Sequence, residues 1–124
     1  MTLVDSSGWL EFFTDGPLAS TYVHHLKNLR EIVTPTIVLY EVYKVIKRKR
    51  SEEEALAAVA QIGKTQLVSL TDMIALTAAD ISLTYHIAMA DAIVYATALT
   101  ERAKLVTSDA DLASLPDVVY LKKP

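Results

Sequence analysis

Thr2-Leu3-Val4-Asp5-Ser6-Ser7-Gly8-Trp9-Leu10-Glu11-Phe12-Phe13 is the stretch on which the fold turns. Three β-prone residues run into Asp5, Ser6 and Ser7, all good helix-capping residues, and the apolar stretch from Trp9 to Phe13 follows. The segment reads as a strand passing straight into a helix. The same passage recurs downstream. Asp15, Gly16 and Pro17 punctuate the chain, and Leu18, Tyr22, Val23, Leu26 and Leu29 then recur at helical spacing. Ile32 and Val33 predict a buried strand, with Thr34 as N-cap and Pro35 at the first position of a helix carrying Ile37, Val38, Tyr40, Glu41 and Val45. Ser51 and Glu54 have capping-box spacing and Gly63 sits where a left-handed terminus is expected, which predicts a helix over Glu52–Ile62. Gln66–Leu70 reads as a strand; Thr71 and Asp72 open a helical pattern through Tyr85, and Asp91–Arg102 gives a further helix. Lys104–Val106 is a strand, Asp109–Leu115 a short helix or turn, and Val118–Leu121 a last strand. Strands alternating with helices imply parallel crossovers, so the expected fold is α/β: a single domain over residues 1–124, a three-layer α/β/α sandwich with a mostly parallel central sheet.

Composition narrows the function. A 52% hydrophobic fraction with 22% charged residues in 124 residues describes one packed core and excludes a disordered tail. The chain has no cysteine, which removes disulfides, thiolate metal sites and a cysteine nucleophile, and fits a cytoplasmic protein. The longest apolar run, Ala55–Ala60, is too short to span a membrane, and Asp5 interrupts the stretch a signal peptide would need. No G-x-S-x-G elbow, Walker lysine loop or G-x-G-x-x-G is present, and His24, His25 and His86 form no partner pattern. Trp9, Phe12 and Phe13 read as core or dimer surface.

Four acids stand at the ends of predicted elements. Ligands of open parallel sheets bind at the carboxyl ends of strands. Asp5 ends the first strand and Asp109 lies just past the strand through Leu105, Val106 and Thr107, so both belong to one rim. Glu41 lies inside the helix after the second strand, with Ile37, Val38 and Val45 expected on its inward side, and Asp91 is the only charged residue between His86 and Glu101. Acids embedded in apolar sequence are costly to bury without a counter-charge, and converging acids repel one another. A hard divalent cation, magnesium or manganese, is the natural compensation, and it suits hydrolysis of a phosphodiester.

These residues resemble the successive acidic motifs of the PIN domain. The motifs are Val4-Asp5-Ser6-Ser7, Glu41 between Tyr40 and Val42, Met89-Ala90-Asp91-Ala92-Ile93, and the run from Leu105 to Asp111. Their order, spacing and total length are similar to VapC-type toxins of toxin–antitoxin pairs, over essentially the whole chain. The resemblance implies an endoribonuclease whose Asp5, Glu41, Asp91 and Asp109 hold magnesium or manganese, with Asp111 as a reserve for the fourth ligand. Ser6 and Thr107 would be supporting hydroxyls. It also implies RNA as substrate, an antitoxin protein as partner and a homodimer.

Each acid also has an ordinary reading: Asp5 as an N-cap, Glu41 as the i, i+3 partner of Lys44, Asp91 as a favourable charge at a helix start, and Asp109 and Asp111 as turn residues. Together these do not explain why the acids fall at motif-matched positions. Glu52, Glu53 and Glu54 are read as complements of a helix dipole, and Asp72 as a cap. The basic run Lys44, Lys47, Arg48, Lys49 and Arg50 is either a solvated helix end or an RNA-backbone contact beside the acids. Without the four proposed ligands, 11 acids face 12 bases, so a net charge of -3 does not argue against RNA. Competing readings are a PIN-like RNA-processing nuclease without antitoxin, a receiver-type signalling domain that binds magnesium, and an inactive binding module.

Overall fold

Leu3, Val4, Ile32, Val33, Leu105 and Val106 are each at most 2% exposed in the computed structural model, which describes residues Met1–Pro124. These are continuous apolar runs with no in–out alternation, the mark of strands covered by helices on both faces. They belong to β1 (Thr2–Val4), β2 (Ile32–Pro35) and β4 (Lys104–Thr107); β3 (Gln66–Val68) and β5 (Val118–Tyr120) are the more exposed edges. The strand order is β3-β2-β1-β4-β5, and every neighbouring pair is parallel, with Leu3 opposite both Val33 and Leu105. The sheet is thus wholly parallel rather than mostly so. This order also differs from the 2-1-3-4-5 arrangement of receiver-type domains.

Six helices connect the strands: α1 (Ser6–Phe13), α2 (Ala19–His25), α3 (Thr36–Lys49), α4 (Glu52–Ile62), α5 (Asp72–Tyr85) and α6 (Met89–Thr100). Right-handed crossovers carry α1 to α4 over one face as the chain steps from β1 to β3, and α5 and α6 over the other as it returns to β4. The direction of winding therefore reverses between β1 and β4. Trp9 is core, 1% exposed and stacked on Phe13 at 5.6 Å between ring centroids.

Several local expectations are corrected by tertiary partners. Thr34 is the third residue of β2 and not a cap, because its hydroxyl pairs with Thr65 at 2.8 Å; Pro35 is the N-cap and the helix begins at Thr36. Glu52–Ile62 has the predicted bounds, and Ser51 Oγ accepts from the Glu54 N–H at 3.0 Å. Gly63, however, has φ of −60° and is right-handed; Thr65 closes that end, donating its N–H at 2.9 Å and its hydroxyl at 2.7 Å to the Ile62 carbonyl. The apolar spacing from Leu18 to Leu29 divides into the seven-residue α2 and a separate 3-10 turn at Leu29–Glu31 capped by Asn28. The helix assigned to Asp91–Arg102 begins at Met89, which puts Asp91 in its first turn.

Candidate active site

The β1/β4 boundary is where a doubly wound sheet leaves a crevice outside its strand ends. Asp5 follows β1 directly and caps α1, and its backbone N–H reaches the Val106 carbonyl of β4 at 3.4 Å. Two residues past β4, Asp109 caps the 3-10 turn Ala110–Leu112 by accepting the Asp111 N–H at 2.9 Å. That turn folds Asp111 back toward Asp109, and α6 delivers Asp91 to the same place. One carboxylate oxygen from each of Asp91, Asp109 and Asp111 lies within 4.8 Å of the other two. Glu41 is the sixth residue of α3 and half-buried, one position off the buried stripe of Val38, Val42 and Ile46. Val45, expected inward, is only partly covered.

Electrostatics couple all of these acids. Asp91 is pushed up to about 6, first by burial and then by Asp109, Asp111, Asp5 and Glu41 in that order. Glu41 is raised by burial and by Asp5 and Asp109, with the Ser6 hydroxyl and Lys44 opposing. Asp5, 4% exposed, is raised by burial, while hydrogen bonds from Ser7, Thr107 and Gly8 pull the other way and Asp109 adds repulsion. None of the ion pairs in the structure includes Asp5, Glu41, Asp91, Asp109 or Asp111. A rim of like charges with oxygen donors only, and no lysine or arginine paired to it, is a donor set that fits a hard dication such as magnesium or manganese.

The hydroxyls divide between two acids. Thr107 donates to Asp5 Oδ2 at 2.6 Å, and Ser7, which the sequence expectation did not single out, donates to Asp5 Oδ1 at 2.6 Å, beside the Gly8 N–H at 3.3 Å. Ser6 lies against Glu41. Sequence reading also missed Ser108 and Tyr22, which join this network, because their partners lie about a hundred residues away in the chain. The one local signal was Gly8, whose lack of a side chain admits the Tyr22 ring: a Cβ there would stand 2.3 Å from Tyr22 Cε1.

The basic run is not gathered at the rim. Lys44 is exposed one turn from Glu41, and its ammonium lies over the Tyr40 ring, 5.4 Å from the centroid. Lys47 and the residues after it begin about 9 Å from Glu41 along the helix axis. Lys47 pairs with Glu52 at 3.2 Å and Arg50 with Glu54 at 3.8 Å, which leaves Arg48 and Lys49 exposed without an acid partner.

The fold has counterparts among solved structures. A toxin–antitoxin complex from Klebsiella pneumoniae matches with a TM-score of 0.83 at 22% identity, covering 99% of this chain and 100% of the other. The sarcin–ricin loop cleaving toxin VapC20 of Mycobacterium tuberculosis matches at 0.79 and 19%, covering 99% and 100%. VapBC2 of Rickettsia felis, bound to a promoter DNA fragment, matches at 0.78 and 15%, covering 98% and 97%. No curated protein matches in sequence. At these identities the neighbours establish the fold, and a sequence-family match to the PIN domain extends over residues 2–118. From its first strand to its last, with its acids at the β1/β4 rim, the chain belongs to the PIN-domain family.

Proposed function

We propose that the protein is a magnesium- or manganese-dependent endoribonuclease and the toxin of a toxin–antitoxin pair. The observation that carries this reading is the rim itself, where Asp91, Asp109 and Asp111 converge within 4.8 Å and couple to Asp5 and Glu41 with no basic residue paired to them. Asp5, Glu41, Asp91 and Asp109 would hold the cation, and Asp111, now within reach of Asp91 and Asp109, joins them rather than standing in reserve. A cation bound there supplies charge neutralisation for the phosphodiester transition state and lowers the pKa of a water nucleophile.

The chain's own groups prepare that site. Ser7 and Thr107 each donate to one oxygen of Asp5, and together with the Gly8 N–H of its own helix N-terminus they hold the carboxylate in one orientation. Ser6 opposes protonation of Glu41. Asp91 sits on a helix whose next seven residues, Ala92 to Ala98, are buried, so its position is set by the core rather than by solvent. A phosphate approaching these acids is repelled until a cation compensates them, which makes cleavage strictly metal-dependent.

Resemblance to structures solved as toxin–antitoxin complexes supports an antitoxin as partner. A second copy of the chain is supported by α5, where Met73, Leu76 and Leu83 form an apolar stripe 68%, 71% and 77% exposed. No single helix is long and apolar enough to cross a membrane. The test is cleavage of RNA with magnesium or manganese, with EDTA and Asp5→Asn as controls. Loss of cleavage in both controls supports the reading, and cleavage that persists in both ends it.

A further inference from the structure

The hydroxyls beneath Asp5 do more than hold one carboxylate. An ionised carboxylate only accepts hydrogen bonds, so the protons of Ser7 and Thr107 are both committed to Asp5, at 2.6 Å each. The oxygens of those hydroxyls are then free only to accept. Ser7 Oγ accepts the Ser108 N–H at 3.0 Å, and Thr107 Oγ1 accepts the Asp109 N–H at 2.9 Å. Ser7 Oγ and Thr107 Oγ1, 3.4 Å apart, thus have no proton left for each other. The loop after β4 is therefore tied to the β1–α1 junction through the hydroxyls of Ser7 and Thr107, and the side chain of Ser108 is tied to Tyr22.

Tyr22 lies on α2, outside every acidic motif, and is fully buried. Its hydroxyl shares a 2.7 Å hydrogen bond with Ser108 Oγ. Its ring reaches that point only because Gly8 has no side chain: a Cβ there would stand 2.3 Å from Cε1 and 2.8 Å from Cζ of the ring. Gly8 in turn donates its N–H to Asp5 Oδ1. Tyr22 thus touches both halves of the rim, Gly8 beside Asp5 and Ser108 beside Asp109.

We propose that Tyr22 is a positioning residue of the rim, which sets the spacing of Asp109 relative to Asp5 by anchoring Ser108 against Gly8. The inference rests on the reading of the rim as a cation site. Outer partners that orient metal ligands are worth about 10- to 100-fold in metal affinity, so loss of one hydroxyl is measurable.

The test compares wild type, Tyr22→Phe and Ser108→Ala, which remove the same hydrogen bond from its two ends. Two readouts are taken: manganese titration by calorimetry, and amide hydrogen exchange at Ser108 and Asp109 in the metal-free protein. Tyr22→Phe is expected to weaken manganese binding about 10-fold or more and to lower kcat for RNA with KM unchanged. Exchange at Ser108 and Asp109 is expected to rise roughly fivefold, as the loss of one neutral hydrogen bond allows. Ser108→Ala is expected to reproduce both changes, and the double variant to add little. If Tyr22→Phe fails to fold, Ser108→Ala alone reads the bond. Unchanged manganese affinity and unchanged exchange in the folded variants overturn the proposal. A wild type that takes up no manganese overturns the cation-site reading instead, and the exchange data still decide whether Tyr22 holds the loop.

Discussion

Acids cluster in two regions of this molecule, at the β1/β4 rim and at the junction of α3 with α4, and the two are built on opposite terms. At the junction Glu52 and Glu54 open a helix, where negative charge favours the dipole, and each meets a cation: Lys47 at 3.2 Å and Arg50 at 3.8 Å. Ser51 adds a cap by accepting the Glu54 N–H. Even Glu11, buried to 6% exposure, accepts the Leu18 N–H and has Lys123 within 3.8 Å. Asp5, Asp91 and Asp109 also sit at helix starts, yet no cation is paired to the rim acids, and Asp5, Glu41 and Asp91 are each raised by burial and by acidic neighbours. The chain evidently has cations available and places them elsewhere. A region of acids that is internally compensated is finished as folded; one that is not is the region we propose a cation from solution completes.

The contrast is broken most severely at Asp91. Asp91→Asn should lower RNA cleavage by about 100-fold or more, beyond what a mere outer partner of a metal is worth, whereas Glu52→Gln at the junction should leave the rate unchanged. Rates measured side by side at saturating manganese decide this, and equal losses in the two variants would erase the distinction.

The basic end of α3 gives the next largest effect. Changing Lys47, Arg48, Lys49 and Arg50 to Ala should weaken RNA binding and leave manganese uptake intact. Because only Arg48 and Lys49 lack an acid partner, the log–log salt slope should fall by about 1.4, some 0.7 for each of two phosphates. Binding titrations from 50 to 200 mM salt measure it, and an unchanged slope removes this helix end from the RNA path.

Protonation sharpens the comparison further. Asp91 is raised from 3.8 in the unfolded chain to about 6 in the fold, so its stabilising contribution is full below 3.8 and is lost as pH rises through 6. In the metal-free protein Asp91→Asn should therefore melt above wild type at pH 8, with the gap closing as pH falls from about 6 toward 4. Thermal scans in EDTA across that range test it; a gap that stays constant with pH would mean that neither burial nor the neighbouring acids raise Asp91. The smallest effect belongs to the junction. Ser51→Ala should cost about 1 kcal/mol of stability through the lost cap and leave cleavage unaltered, as chemical denaturation beside an activity assay would show.

What the sequence disclosed follows the range of the interactions involved. Asp5 at the end of a strand, the cap at Ser51 and the bounds Glu52–Ile62 depend on residues within a few positions, and they are where periodicity and capping rules put them. Thr34 went the other way because of a distant residue, Thr65, which bonds its hydroxyl; at Gly63 the same Thr65, only two positions on, closes α4 by a local contact with Ile62. At the site, motif order singled out Asp5, Glu41, Asp91 and Asp109 as candidates, of which Asp91 and Asp109 meet in one triad. Their association with Asp111 could not be read there, since it depends on how the turn after β4 folds back toward Asp91. The entry of Ser108 and Tyr22 comes from contacts spanning 86 and 101 residues that no local pattern encodes, whereas Ser7 reaches Asp5 across only two positions.

The central claim is that the rim acids are completed by a divalent cation. Titration of manganese into the metal-free protein at pH 7.5 by calorimetry tests it most directly, with Asp91→Asn and Glu52→Gln in parallel. Saturable binding in wild type and Glu52→Gln, lost in Asp91→Asn, is the predicted result. No binding in wild type, or equal binding in Asp91→Asn, would contradict it.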